Sequence, residues 1–235
     1  MPIEITPIQP LDIASAVDCI QKAFEDDPYA NWAFDKRPGK FNKDRNFHSL
    51  KAKCEWGMKH ALFFVAKDTS SSKPDEVIGV SMWMKPRKTS EPVTWEEWFD
   101  DYVLWFKQGL NLIWYQGRGG LRTDRYHVWK REQAKAQAEL WTDPEGYYFC
   151  NIVVVRPGIQ GKGIGKMLFK VVSDQADKDG RKCYLESSRD TPNIAIYQKL
   201  GFDLRKKMVC VSEEGDEARC DLFCMVREPQ KPVST

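Results

Sequence analysis

The sequence has few of the features that mark several common classes of protein. Histidine occurs only three times in 235 residues, and no apolar run approaches the length of a membrane-spanning helix. The net charge of +2 is too small to indicate a nucleic-acid-binding surface. The first residues lack the basic start of a signal peptide. We therefore expect a cytoplasmic protein, with a nuclear location also open, that binds neither a membrane nor a nucleic acid.

Close-set cysteines are also scarce. The chain has seven cysteines, an odd number, and most lie in apolar segments. This distribution favours reduced thiols in the core over a disulfide framework. Cys220 and Cys224 are the one close pair, and no histidine or second pair lies near them in the sequence. Because a zinc site needs three or four suitably spaced ligands, we expect no metal.

The pattern of apolar residues predicts both helices and strands. With 42% hydrophobic and 30% charged residues, the chain is long enough for one globular domain with an elaboration. Alternation predicts strands, and three-to-four spacing predicts helices. The expected elements are a strand over 3–8, a helix after Asp12, a helix over 44–59, a hairpin of strands over 61–66 and 77–84, helices over 123–140 and from 164, a helix from Pro192, and strands over 204–211 and 219–227.

Residues 87–146 carry six of the nine tryptophans. Six aromatic residues fall on one face of a predicted helix in this segment: Trp95, Trp98, Phe99, Tyr102, Trp105 and Phe106. Packing in the core is the default interpretation of such a face. The alternatives are that the rings form the wall of an acceptor pocket or a dimer surface.

The most informative segment runs from Tyr147 to Gly165. An apolar run ends at Val155, four glycines follow between 156 and 165, and a helical pattern comes next. A strand, a glycine-rich turn and a helix in this order form an anion cradle, because backbone N–H groups and the helix dipole both point at the ligand. The segment therefore predicts a diphosphate site.

Glycine spacing restricts which phosphate ligand this segment suits. A Walker loop needs a hydroxyl residue directly after Gly-Lys, but Gly163 follows Lys162. The dinucleotide fingerprint needs G-x-G-x-x-G early in a βαβ unit, whereas the glycines here alternate and come late in the chain. Neither interpretation fits well.

The order Gln160-x-x-Gly163-x-Gly165 after a Val-x-Pro strand end resembles the acyl-coenzyme A loop of the GNAT family of N-acetyltransferases. Three later segments agree: the amphipathic segment directly after the loop, the apolar run over 184–188, and the segment over 193–202 that contains Tyr197-x-x-x-Gly-Phe. The resemblance implies an α/β fold, a mixed twisted sheet flanked by helices. We expect a single domain over residues 1–228, a helical insertion over 87–146 before the cofactor-binding strand, and a disordered tail over 229–235.

The resemblance also implies the cofactor-binding residues. Backbone groups of one strand would hold the pantetheine and the developing oxyanion, backbone donors of the loop would take the diphosphate, and the last helix would lie beside the cofactor. The expected set is Val153, Val154, Val155, Gln160, Gly161, Lys162, Gly163, Ile164, Gly165, Lys166, Asn193 and Tyr197. Asn193 is either a cofactor contact or only the start of a helix.

Two catalytic roles follow from the chemistry of acyl transfer to an amine. Tyr197 is the expected general acid, because the family's matching tyrosine lies near the thioester sulfur. Glu186 is the leading general base, and a surface or salt-bridge role is the alternative. Asp27 and His127 are its rivals and candidate substrate contacts. Two acidic groups, over 25–27 and 213–217, would attract a cationic amine.

The sequence thus predicts an acetyl-CoA-dependent N-acetyltransferase that uses direct transfer and no metal. A small-molecule primary amine is the favoured acceptor, since the insertion could enclose a compact ligand. The alternatives are a protein N-terminal or lysine acetyltransferase, and a non-catalytic acyl-CoA sensor or interaction module. We expect a monomer or a homodimer.

Overall fold

The computed structural model describes residues 2–88, 90–212 and 218–230. In this part of the chain seven strands form one mixed sheet, in the order β1-β2-β3-β4-β5-β7-β6. Only β4 and β5 run parallel to each other. The strands are β1 (Ile3–Pro7), β2 (Ala61–Asp68), β3 (Val77–Met84), β4 (Tyr148–Val155), β5 (Cys183–Ser187), β6 (Asp203–Val211) and β7 (Arg219–Arg227).

Helices cover both faces of the sheet. The helices are α1 (Ile13–Ala23), α2 (Pro28–Ala33), α3 (Lys43–His60), α4 (Trp95–Trp114), α5 (Thr123–Leu140), α6 (Ile164–Lys178) and α7 (Asn193–Lys199). One face packs against α1 and α3 at the β2–β4 side, and against α2 and α5 at the β5–β7 side. The other face packs against α6 and α7. This three-layer arrangement confirms the predicted mixed sheet flanked by helices.

β4 and β5 pair for only three residues and then separate. Their ladder runs from Tyr148 opposite Cys183 to Cys150 opposite Leu185. β4 stays paired with β3 as far as Val155, with one register shift that leaves Asn151 unpaired. Such an extra residue bends its strand and increases the local twist. The bulge therefore lies where β4 turns away from β5 and opens a gap in the sheet.

The predicted hairpin and the predicted helices over 123–140 and from 164 are confirmed to within two residues, and α4 extends eight residues past Phe106, the last residue of its predicted aromatic face. The short helix α2 was not expected, although its start is marked by Asp27 as N-cap and Pro28 at the first position. Helix α7 begins at Asn193, one residue later than expected. The segment over 213–217 and residues 231–235 of the expected tail lie outside the described residues.

Core packing is the wrong interpretation for the aromatic face of α4. Its rings stand in solvent, because α4 packs on α3 through its opposite side. We call this set the aromatic stripe: Trp95, Trp98, Phe99, Tyr102, Trp105 and Phe106, continued by Leu110, Ile113 and Trp114. Trp129 and Trp141, also in the insertion, do pack against the core cluster around Tyr184.

The seven cysteines are all buried and unpaired. Burial raises the pKa of the Cys150 thiol well above its ordinary value, so this thiol stays protonated and unreactive. Among the described residues no helix combines the length and apolar character that a bilayer span requires. The same residues contain no group of three or more histidine, cysteine or acidic side chains arranged to hold a metal ion.

Candidate active site

A cavity of about 690 Å³ opens beside the gap between β4 and β5. Its walls are the last three residues of β4, the glycine-rich loop, the first turn of α6, and α7. The end of α1 and the turn that follows it close the remaining side. The cavity therefore collects elements that are far apart in the sequence around the gap in the sheet.

Three positions of the glycine-rich loop have a backbone conformation that only glycine adopts without strain. Gly158, Gly161 and Gly163 have φ of +86°, +80° and +81°, and a Cβ added at any of them would meet no atom within 4 Å. The left-handed backbone disfavours other residues, while the open space leaves room for a ligand against the chain. The loop is held in place by the Gln160 amide, which donates to the Val155 carbonyl at 3.1 Å.

Arg156 fastens the start of this loop to the rest of the fold. Its backbone N–H donates to the Ile78 carbonyl at 2.9 Å, and its guanidinium lies 2.9 Å from the Asp18 carboxylate and 3.4 Å from that of Glu76. These bonds join the loop to α1 and β3. The loop can therefore hold one conformation before a ligand arrives.

The loop and α6 fit the diphosphate of coenzyme A. The N–H groups of Ile164, Gly165 and Lys166 form the first turn of a 15-residue helix, where no intrahelical acceptor exists, and the helix dipole adds positive potential there. Lysines 22, 166 and 199 also line the cavity. Donors, dipole and cations converge on one open cradle, which matches what a diphosphate requires.

Tyr197 lies at the inner end of the cavity. Its ring packs against Phe169 at 5.4 Å and Phe202 at 6.3 Å between centroids. Its hydroxyl makes no hydrogen bond to any residue in the described part of the chain. Burial, with smaller contributions from Cys150 and Asp27, raises the pKa of the phenol above its ordinary value. Tyr197 therefore keeps its proton at neutral pH and has it available for a ligand.

Glu186 lies outside the cavity, on the other face of β5. Its neighbour Leu185 packs in the cluster with Phe169 and Tyr197, so Glu186 points toward α5. Its carboxylate accepts hydrogen bonds from the Gln133 amide at 2.8 Å and the Tyr184 hydroxyl at 2.9 Å. Burial raises its pKa, and these two bonds offset only part of the increase.

The other predicted residues divide between the cavity and the surface. Asp27 lines the cavity, but one of its oxygens accepts from the Ala30 N–H at 3.0 Å and the other from the Ser188 hydroxyl. Asn193 lines it and donates to Ser187 Oγ at 3.2 Å. His127 is exposed on α5 and does not line the cavity.

The cofactor-binding prediction coincides with the cavity at every position except one. The lining residues include Val153, Val154, Val155, Gln160, Gly161, Gly163, Ile164, Gly165, Lys166, Asn193 and Tyr197. Lys162 lies between two lining glycines, with an exposed side chain that does not line the cavity.

Sequence reasoning missed two polar residues near the gap. Arg189 follows β5, lines the cavity, and donates to the Asp26 carbonyl. Asn151 is the unpaired residue of the β4 bulge, and its side chain is exposed in the middle of a strand. A polar residue inside the apolar run over 147–155 was the available signal for Asn151, but no pattern pointed to Arg189.

Known proteins share this arrangement of loop, strand and helix. Residues 122–204, which span the loop, Glu186 and Tyr197, match the family model described as the acetyltransferase (GNAT) domain. This match covers 83 of the 235 residues, and the fold of the whole chain is the GNAT fold. The protein named Uncharacterized N-acetyltransferase of Schizosaccharomyces pombe is 28% identical over 141 residues, 57% of this chain. The match spans 59% of the length of that curated relative.

Solved structures of GNAT acetyltransferases share the fold over the whole chain. Arylalkylamine N-acetyltransferase 2 from Aedes aegypti has a TM-score of 0.64 at 15% identity and covers 98% of this chain and 100% of its own. A Corynebacterium glutamicum structure described as histone acetyltransferase HPA2 and related acetyltransferase has a TM-score of 0.58 at 18% identity, with 100% of both chains covered. At these identities the likeness concerns the fold alone.

A matched pair of glycine substitutions tests the diphosphate cradle. Gly163→Ala should weaken coenzyme A binding at least about tenfold, because the Cβ enters the cradle and the left-handed backbone becomes strained. Gly180→Ala is the control, since this glycine has φ of +62° and equally open space at the other end of α6. Both variants should lose similar thermal stability. Calorimetric titration showing equal affinity for the two would contradict the cradle assignment.

Proposed function

We propose that this chain transfers an acetyl group from acetyl-CoA to the primary amine of a small molecule by direct transfer. The observation that carries the proposal is the gap between β4 and β5, with the glycine cradle and the Tyr197 hydroxyl opening on one side of it. Backbone donors and a phenol facing the same cavity suit a thioester ligand. The acceptor is inferred separately, from how the other face of the sheet is covered.

When bound, acetyl-CoA supplies a thioester whose carbonyl carbon the amine nitrogen attacks, so that a C–N bond forms and the C–S bond breaks. The amine must first lose a proton, since a lysine-like amine has a pKa of about 10. The thiolate that leaves must be stabilised and protonated. The chain therefore needs an acceptor for one proton and a donor for another.

Tyr197 and Glu186 supply these two groups from opposite faces of the sheet. An ordinary phenol has a pKa of about 10 and is already protonated at neutral pH, and burial raises the pKa of Tyr197 further, so the hydroxyl can donate a hydrogen bond to the sulfur as negative charge develops there. The raised pKa of Glu186 makes its carboxylate a stronger base than an ordinary glutamate. The amine proton would pass to Glu186, directly or through water, and the thiolate would be protonated on the Tyr197 side.

The covering of the Glu186 face favours a small acceptor over a protein. Helix α5 lies across this face, and its Trp129 ring packs on Tyr29 of α2 at 5.1 Å between centroids. The Arg125 guanidinium donates to the Trp32 carbonyl at 3.0 Å and ties the two helices together. A peptide would need an open groove here, whereas a compact amine needs only a short passage. Asp26, which is exposed, and Asp27, which is buried, both line the cavity and would attract the positive charge of the amine.

Coenzyme A release with a panel of acceptors tests the proposal. The panel holds arylalkylamines, diamines, amino acids, and peptides with a free N-terminus or a lysine. We expect one small-amine class to have a kcat/KM at least about tenfold above every peptide, because α2 and α5 block extended chains. A preference for peptides would assign the protein-acceptor alternative. Tight acetyl-CoA binding without turnover on any acceptor would assign the sensor alternative.

Replacing Tyr197 by phenylalanine tests the general acid. Tyr197→Phe should lower kcat about 100-fold and leave coenzyme A affinity nearly unchanged, since the ring contacts remain. Tyr148→Phe is the control, because its hydroxyl donates to Asp179 on the rim of the same cluster and does not line this cavity. The control should lose some stability and keep kcat. Full activity in Tyr197→Phe would remove the phenol from the mechanism.

The pH profile of Glu186→Gln tests the general base. A base acts when deprotonated, so wild-type kcat/KM should fall as pH drops through the raised pKa of Glu186, above the range of an ordinary glutamate. Glu186→Gln should lower the plateau about 100-fold and lose this acid limb. Glu139→Gln, an exposed change on the α5 helix that covers Glu186, should keep both. An unchanged plateau and limb in Glu186→Gln would exclude Glu186 as the base.

A further inference from the structure

Helix α4 turns its apolar side to solvent and its polar side to the protein. Trp95 is 84% exposed and Trp105 is 68% exposed, whereas Asp100 and Asn111 on the opposite side are 8% and 9% exposed. A surface helix ordinarily packs its apolar face on the core. In α4 the large aromatic residues lie on the solvent side, and only a few smaller apolar residues, among them Val103 and Leu104, lie half-buried toward α3.

Hydrogen bonds on the polar side fix α4 in this orientation. The Asp100 carboxylate lies 2.7 Å from Lys59 Nζ and 2.8 Å from His60 Nε2. Gln108 accepts from the Ser49 hydroxyl at 2.8 Å and donates to the Ser49 carbonyl at 3.0 Å. Rotating the helix to bury the aromatic stripe would break these bonds and leave polar groups unpaired. The stripe must therefore be covered from outside.

The area of the aromatic stripe matches one side of a stable protein interface. Aromatic side chains present about 150–250 Å² each, so the stripe at its observed exposures offers roughly 1,000 Å². The largest apolar patch on a typical monomer is about 300–600 Å². A standard interface buries about 800 Å² per partner. The stripe is thus too large for a solvated surface and large enough for a dimer.

Charge argues against a membrane as the covering surface. Helix α4 carries Glu96, Glu97, Asp100 and Asp101 but only one basic residue, Lys107. Helices that lie on anionic lipid are rich in lysine and arginine on the polar face. The acidic residues lie in the first half of α4, and Arg118 follows its end. Asp100 and Asp101 bond to Lys59, His60 and Trp56 of α3, so these charges lie away from the stripe and do not oppose its pairing with a second copy.

The spacing along the stripe suits a second helix. Positions 95, 98, 102, 105 and 109 repeat at intervals of three and four, as in helices that pack side by side. Gly109 occupies one of these positions, and a Cβ added there would meet no atom within 4 Å. A two-fold axis near Trp105 would set Gly109 of one copy opposite Tyr102 of the other, so that a large ring fills a notch.

We propose that the aromatic stripe is the interface of a homodimer in which two α4 helices pack antiparallel. This inference does not depend on the proposed function, because no residue of α4 lines the cavity.

Sedimentation equilibrium over a range of protein concentrations tests the homodimer. The wild type should dimerise with a dissociation constant in the micromolar range or below, and Trp98→Glu combined with Trp105→Glu should weaken dimerisation roughly 30-fold or more. Leu11→Glu is the control, since Leu11 is 94% exposed and lies outside the stripe. This control should dimerise like the wild type. A wild type that stays monomeric, or a dimer that persists in the double variant, would overturn the proposal.

Two further measurements test the homodimer. The first distinguishes close helix packing from a loose contact, and the second distinguishes a second protein copy from a lipid surface. Gly109→Leu should raise the thermal stability of the monomer, because leucine favours helix over glycine, yet weaken dimerisation by filling the notch. Dimerisation as tight as in the wild type would contradict the close helix contact. Co-sedimentation with phosphatidylcholine vesicles, abolished by the double variant, would assign the stripe to a lipid surface instead and overturn the homodimer.

Discussion

The separation of β4 from β5 is the constraint around which the site is organised. The two strands are hydrogen-bonded from Tyr148 to Cys150 and then part, while β3 holds the outer edge of β4 through Val155. Beyond that point the facing backbone groups of β4 have no strand partner on that side among the described residues. An unpaired polar group away from water costs about 1–3 kcal/mol, so a ligand that supplies partners is stabilised there. We therefore propose that the gap is a binding site made of backbone.

The other parts of the site take their roles from this gap. On one side α6 presents its N-terminal turn and α7 presents Tyr197, for which we propose contacts with the phosphates and the sulfur of acetyl-CoA. On the other side Gln133 and Tyr184 hold Glu186 under α5. The Asp27 carboxylate caps α2 and accepts a hydrogen bond from the Ser188 hydroxyl. It therefore joins the start of α2 to the residue that follows β5. A donor and an acceptor can thus meet through the sheet.

The sequence predicted the parts of the site that depend on backbone conformation. Glycine spacing located the loop, because φ near +80° favours glycine strongly at positions 161 and 163. It could not locate Arg189, whose role depends on a turn 163 positions away. It also could not tell that the aromatic face of α4 points outward. Periodicity shows that a helix has two faces, but the polar bonds of Asp100 to α3 decide which face is buried.

A crystal structure with coenzyme A and a bound amine would decide whether donor and acceptor meet through the gap. We predict that the diphosphate lies on the N–H groups between Gln160 and Lys166, that the sulfur lies in the gap within hydrogen-bond reach of Tyr197, and that the amine approaches from the Glu186 face. Coenzyme A bound away from the gap, or an amine that enters on the Tyr197 face, would contradict this arrangement.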